Sequence, residues 1–374
     1  MYKFLIRNKV LIIVLFFVAV RFFHVCLYTS ASCIKEKNYG KAAAGDTANP
    51  VFKYIEKFRN NSVQKVRKLY PSPHSELLLG VVLGIDELST VPTFNDILIA
   101  TGTIHVVVVS GYNINLLFSF VKSVLGGIYT YKKFFTAVIA TLIYSVIAGF
   151  EPPVIRAWIM SSISGLGMLY GRKLDPIMLL IFSGAIMLFF NPELLFSLSF
   201  QLSFLASLSL LMFSPMVKPV FASVGGQTKS KKQACRPQKA VSASFFQEDL
   251  VSSFSAQILV WPVISGSFGR VSIFSPFINA VVLWTIPLST VLGAIFLLSA
   301  YINQYLAVVL SLVLYAPLDI FIQVLRLFSN IPFLSINFSL GTPALLIYYS
   351  AVLVFYFLYA KPKSVTTAER KYSA

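Results

Sequence analysis

The stretch HVVVVSGYNINLL, residues 105 to 117, sets His105, Ser110, Gly111, Asn113 and Asn115 among valines and leucines. A serine and a histidine invite a nucleophile–base reading. Five residues apart, though, they do not meet on one helix, and no catalytic centre is expected from them. Ser110 and Asn113 are three residues apart and share a face, whereas Asn115 points elsewhere, so one polar stripe does not accommodate all of these groups. Two readings stay open. The side chains either hydrogen-bond neighbouring helices together, or line a wet path, with Gly111 supplying a local break.

Further along, Arg156 follows the sequence EPPV. It reads either as a snorkelling anchor or partner of Glu151, or as a phosphate contact whose guanidinium fork suits an oxyanion. In FSLSFQLSFLASLSLL, Ser199, Ser203 and Ser207 recur every fourth residue and make a small-residue stripe suited to close helix packing. Gln201 beside them is an amide among apolar neighbours and needs partners from another helix or from conduit water. Gln257, before Trp261 and Pro262, and Asn279, after Pro276, pose the same alternative.

Other chemistries are missing their residues. There is no G-x-x-x-x-G-K-[ST] phosphate loop, so any driving force is expected from elsewhere. Three histidines and three scattered cysteines offer neither a zinc site nor a two-metal centre, and no cofactor is expected.

The elements that must carry these groups follow from composition. Of 374 residues, 57% are hydrophobic and only 12% charged, with a mean hydropathy of +0.77. Such a chain belongs in a bilayer, and long apolar runs without alternation choose helices over a barrel. The expected fold is all-α, a polytopic bundle with about ten spans. An uncleaved anchor fills residues 1–28. Further spans are read near 103–123, 133–150, 154–171, 174–190, 195–213, 250–268, 274–297, 304–327 and 341–360. Residues 77–103, with glycines, Pro92 and three carboxylates, read as a broken or interfacial segment.

Net charge is +17, from 31 basic against 14 acidic residues. Lys132, Lys133, Arg172, Lys173, the basic linker 214–248 and the tail 361–374 fall on alternate connections, which places them and both termini in the cytoplasm. Residues 29–76 are then an external basic segment. In it Phe52, Ile55, Val63, Val66 and Leu69 take helical spacing, which predicts an amphipathic helix on the membrane surface. Its Lys53, Lys57, Arg59, Lys65, Arg67 and Lys68 are candidates for attracting phosphates of lipid or nucleic acid.

Five stretches taken in order carry a resemblance: LLLGVVLGIDEL, TGTIHVVVVSGYNINLL, GFEPPVIRAWIM, GRKLDPIMLLIFSGAIMLFFNPELLFSLSFQLSFLASLSLL and SSFSAQILVWPVISGSFGRVSIFSPFINAVVLWTIPLS. From Leu77 to Leu298 the chain resembles the membrane domain of the ComEC-type DNA internalisation proteins of bacterial competence. The resemblance implies a channel in the bacterial cytoplasmic membrane (77–360) that passes one DNA strand inward during natural transformation. Its motif positions fall on His105, Ser110 and Gly111, on Arg156, on Phe200 to Ser203, and on Gln257, Pro262, Phe268, Gly269 and Asn279. They are carried over as pore or core positions. The family's SGLH reads SGYN here, with Asn113 in place of a histidine.

Full-length relatives carry an external OB-like domain and a metallo-β-lactamase-like nuclease domain. Residues 29–75 are too few for the first, and no segment matches the second, so strand degradation is expected of a separate nuclease. Partners implied are single-stranded DNA, membrane lipids, a cytoplasmic helicase or ATPase motor and an external DNA receptor, in an arrangement compatible with a homo-oligomer. The residues alone fit a rival equally, a secondary transporter or permease for a small polar or anionic solute.

Overall fold

The computed structural model describes residues 50–85, 87–107, 111–124, 130–224, 241–331, 335–337 and 342–359. The anchor read at 1–28, residues 225–240 of the basic linker, the tail 361–374 and Ser110 lie outside the described residues.

Fourteen helices are described: α1 (Pro50–Leu69), α2 (His74–Leu83), α3 (Pro92–Thr101), α4 (Ile104–Val107), α5 (Gly111–Val124), α6 (Tyr131–Ile147), α7 (Pro152–Leu169), α8 (Pro176–Phe190), α9 (Leu198–Val224), α10 (Val241–Phe268), α11 (Ser275–Val282), α12 (Thr285–Ile302), α13 (Gln304–Ser329) and α14 (Thr342–Tyr359). One small antiparallel ribbon joins β1 (Arg270–Ser272) to β2 (Ser335–Asn337), pairing Val271 with Ile336. The fold is all-α apart from that ribbon.

Residues 77–103 form short pieces for local reasons. Gly84, at φ 64°, ends α2 with its N–H on the Gly80 carbonyl. Pro92 opens α3, where its missing N–H costs nothing, and Gly102 at φ 72° closes it. Both glycines hold the left-handed backbone that other residues resist. Elsewhere Asp175, Asn191 and Asn303 cap the turns they begin by accepting from Ile177, Glu193 and Tyr305.

The core forms around α2, every residue of which is buried. Leu77, Leu78, Leu79 and Val82 pack with Phe296 on α12 and with Leu314, Leu318, Phe321 and Ile322 on α13. Gly293 permits the approach, since a Cβ there would stand 2.6 Å from Val82 and 2.8 Å from Leu78. In lipid such close packing, with interhelical hydrogen bonds, replaces hydrophobicity as the adhesive force.

Four helices are long and apolar enough to cross a membrane, within Leu198–Pro219, Gln247–Ser267, Thr285–Ile302 and Gln304–Ser329. Large apolar side chains stand exposed around the outside, among them Phe190, Ile302, Leu312 and Leu327. A surface of that kind needs lipid.

Two features differ from the sequence reading. The span expected at 274–297 is divided: after β1 come α11, a turn at Leu283–Trp284, and α12. Moreover, α1 is not a helix lying free on a membrane surface. Its apolar face, with Phe58, Val63, Val66 and Leu69, packs against the central core. Phe58 stacks on Tyr301, with centroids 5.4 Å apart, and Ser62 Oγ is 3.0 Å from the Tyr301 hydroxyl. One residue away, Arg59 reaches Gly149, where an added Cβ would stand 3.0 Å from its Nη1. The turn after α6 and the turn after α12 therefore meet the same stretch of α1.

Candidate functional site

A partly buried arginine, Arg156 on α7, stands between α5 and α9. Gly111 opens α5 against α7: a Cβ there would lie 2.9 Å from the Ala157 Cβ and 3.5 Å from an Arg156 terminal nitrogen. Arg156 donates to Ser207 Oγ, and its guanidinium carbon lies 5.7 Å from the centre of the Phe204 ring. Ser207 donates its own proton to the Ser203 carbonyl at 3.0 Å, which frees its lone pairs for Arg156. The arginine Nε and the Ser203 hydroxyl are buried without partners.

Among the described residues no carboxylate lies within ion-pair distance of Arg156. Glu151 therefore does not pair with it, contrary to one of the two expectations. A guanidinium withdrawn from water normally brings a counter-charge. Here a hydroxyl and a ring face offset part of the cost, and an anion would complete the site.

Asn113 is placed otherwise. It is buried, and its amide joins three elements: Nδ2 donates to the Val81 carbonyl at 3.1 Å and to the Tyr144 hydroxyl at 3.4 Å, while Oδ1 lies 3.5 Å from the Thr290 hydroxyl, whose proton it shares with the Ile286 carbonyl at 2.8 Å. Tyr144 in turn donates to the Val82 carbonyl at 3.2 Å. These bonds tie α5 and α6 to the last turn of α2 and to α12. Of the two sequence readings, the position of this side chain favours the tie between helices. Asn115 accepts from Ser161 at 2.7 Å on the exposed side of the same helix.

Gln201 also finds local work, donating to the Leu195 carbonyl at 2.9 Å and bracing the turn between α8 and α9. It does not join Arg156. His105 lies on the single turn α4, next to residues 108–110, which are outside the described ones.

A second polar node forms from Gln257, Ser275 and Asn279. Ser275 Oγ donates to the Gly102 carbonyl at 3.2 Å and accepts from Gln257 Nε2 at 2.8 Å and Asn279 Nδ2 at 3.3 Å. With its single proton spent, the hydroxyl requires both amides to present N–H. Gln257 Oε1, Asn279 Oδ1 and the neighbouring Ser272 hydroxyl are left buried and unpartnered. Gln257 and Asn279 thus meet on one hydroxyl, at the end of α3, apart from Arg156.

Sequence reading missed one pair altogether. His74 Nε2 lies 3.2 Å from Asp319 Oδ1 and stacks on Tyr315 at 4.6 Å. The signal was present: Asp319 is a carboxylate inside an apolar span, YAPLDIFIQVL, where an ionisable group ordinarily marks function or a paired charge.

The six basic candidates on α1 divide. Lys53, Lys57 and Lys68 are exposed. Arg67 binds Glu87 at 2.7 Å. Lys65 donates to the Ala300 carbonyl and lies 4.3 Å over the Tyr301 ring. Arg59 is partly buried, which lowers its pKa, and the charge of Glu151 works the other way.

Long apolar spans, a lipid-seeking exterior and polar groups gathered inside the bundle define an integral membrane protein. The family described as Competence protein matches residues 84–363, and the chain belongs to it. An uncharacterised protein of Aquifex aeolicus (strain VF5) is 38% identical over 113 residues, 30% of this chain and 27% of that one. ComE operon protein 3 of Bacillus subtilis (strain 168) is 30% identical over 129 residues, 34% of this chain and 17% of that protein. The chain thus aligns with well under a third of either relative. No solved structure matches.

Proposed function

We propose that this protein is a passive conduit in the bacterial cytoplasmic membrane through which single-stranded DNA passes inward during natural transformation. The observation that carries the reading is Arg156: a cation lodged between motif-bearing helices, with no carboxylate beside it among the described residues, suits a passing phosphodiester. Membership of the competence family supplies the context. The name of the Bacillus subtilis relative points the same way.

In this reading the bundle has about nine crossings, counting the anchor at 1–28, because the divided 270–302 region returns to the side it entered, and the amino terminus faces the cytoplasm. Three of those crossings coincide with helices of spanning length, α9, α10 and α13; the shorter α6, α7 and α8 complete others. The exposed Lys53, Lys57 and Lys68 attract the strand outside. A cytoplasmic helicase or ATPase supplies the pull, an external receptor delivers the DNA, and a separate nuclease removes the complementary strand.

Deletion of the gene tests the proposal. Transformation frequency is expected to collapse while uptake of small anions stays unchanged, and the full chain in trans restores it. Undiminished transformation in the deletion strain would overturn the reading, and a selective loss of anion uptake would assign Arg156 to a small solute instead.

A further inference from the structure

Away from Arg156, the carboxyl-terminal end of α13 opens into a pocket of about 480 Å³ shared with α3. That volume lies within the range of small-ligand sites, roughly 300–1,000 Å³. One side of the pocket is polar, with Arg326, Thr93 and Asn330; Val91, Phe94 and Ile97 make an apolar wall. Arg326 is exposed, and among the described residues no carboxylate is within ion-pair distance of it. Among the described residues the Thr93 hydroxyl and the Asn330 amide have no hydrogen-bond partner, so three donors stand around one cavity.

The position of the pocket narrows the ligand. At 26 residues α13 is about 39 Å long, against a hydrocarbon layer of roughly 30 Å. Its last turn therefore comes out at headgroup depth. Beside the pocket in sequence, Leu327 is 70% exposed and Ile331 44% exposed, apolar surface that acyl chains would cover.

We propose that this pocket binds the headgroup of an anionic phospholipid. The phosphodiester oxygens accept from the Arg326 guanidinium, the Thr93 hydroxyl and the Asn330 amide, and the glycerol carbons lie against Phe94 and Ile97. A nucleic-acid strand is a poor match. It would call for several cations in series and several exposed stacking rings, and the pocket offers one cation and a single ring, Phe94, that is itself buried. The site is independent of the DNA conduit, since it shares no residue with the Arg156 cluster.

Native mass spectrometry of the full chain in detergent tests this, with phosphatidylglycerol, phosphatidylcholine, inorganic phosphate and an oligothymidylate as probes. Phosphatidylglycerol is expected to stay bound to the wild type and to fall about tenfold in occupancy in Arg326→Gln, a charge loss of about 1.4 kcal/mol. Arg270→Gln, at an exposed arginine on β1, retains wild-type occupancy. Equal occupancy in Arg326→Gln and wild type overturns the proposal. So does displacement of the lipid by inorganic phosphate or by the oligonucleotide, which would assign the pocket to a free anion or to DNA.

Discussion

Arg156 on α7 donates to the hydroxyl of Ser207 on α9, and that hydroxyl gives its own proton to the Ser203 carbonyl. The serine is thus an oriented acceptor that positions the cation without neutralising it. Arg156→Gln is expected to lower transformation by roughly 10- to 100-fold, the loss of a charge-assisted contact of about 1.5–3 kcal/mol. Arg156→Lys keeps the charge but not the fork, and is expected to fall between. Immunoblots of membrane fractions should show equal amounts of all three proteins. Transformation that matches wild type in Arg156→Gln would remove the site from the mechanism.

Asn113 calls for a different experiment. Because its amide joins α5 to α2, α6 and α12, Asn113→Leu leaves the Val81 carbonyl and the Thr290 hydroxyl without their interhelical partner. Thermal unfolding in detergent is expected to show a loss of about 2–4 kcal/mol, from two or three buried polar contacts. Tyr144→Phe, which strands the Val82 carbonyl and takes one acceptor from the Asn113 amide, is expected to cost about 1–2 kcal/mol. If both variants unfold with the wild type, this cluster does not hold the helices together.

Much of this architecture was legible in the chain. Hydropathy gave the helical membrane class and the position of α13 within two residues, because lipid admits few alternatives for a long apolar run; α9 continues eleven residues past the expected 195–213, and α10 begins nine residues before the expected 250–268. Glycines and Pro92 announced the broken 77–103 stretch. The site was harder. Ser110, Asn113, Gln201, Gln257 and Asn279 look equivalent in sequence, each a polar group in an apolar context. Only tertiary packing separates Gln201, which braces a local turn, from Gln257, which shares one hydroxyl with Asn279. Asp319 carried a clear signal that went unread, and its partner His74, 245 residues away, had no local cue at all.

Loop alternation was less informative about α12. Five expected spans separate the turn after α6 from the turn after α12, an odd number that puts the two on opposite sides. Arg59 and Tyr301 place them on the same stretch of α1. One segment between them consequently fails to cross, and the divided 270–302 region is the candidate. With Phe150→Cys and Ile302→Cys in otherwise cysteine-free protein, a membrane-impermeant maleimide is expected to label both from the same face of oriented vesicles. Labelling from opposite faces would reinstate the simple alternation.

The division of the α1 cations predicts two kinds of phenotype. Replacing Lys53, Lys57 and Lys68 together by Gln should lower affinity for single-stranded DNA and reduce the salt slope by about 2, three contacts at roughly 0.7 each. Lys65→Gln should leave that slope unchanged and lower the unfolding temperature instead, because Lys65 serves the Ala300 carbonyl and the Tyr301 ring. Fluorescence anisotropy across a salt series separates the two.

The enclosure of α2 also sets a timetable for biogenesis. His74–Leu83 emerges from the ribosome long before α12 and α13, the helices that surround it, have been made. Until they arrive, ten residues have no permanent host and must wait at the insertion machinery or in provisional company. The protein can therefore close around its centre only when synthesis is nearly finished, and a chain cut short before Thr285 should be prey to membrane proteases even though most of its helices are already in place.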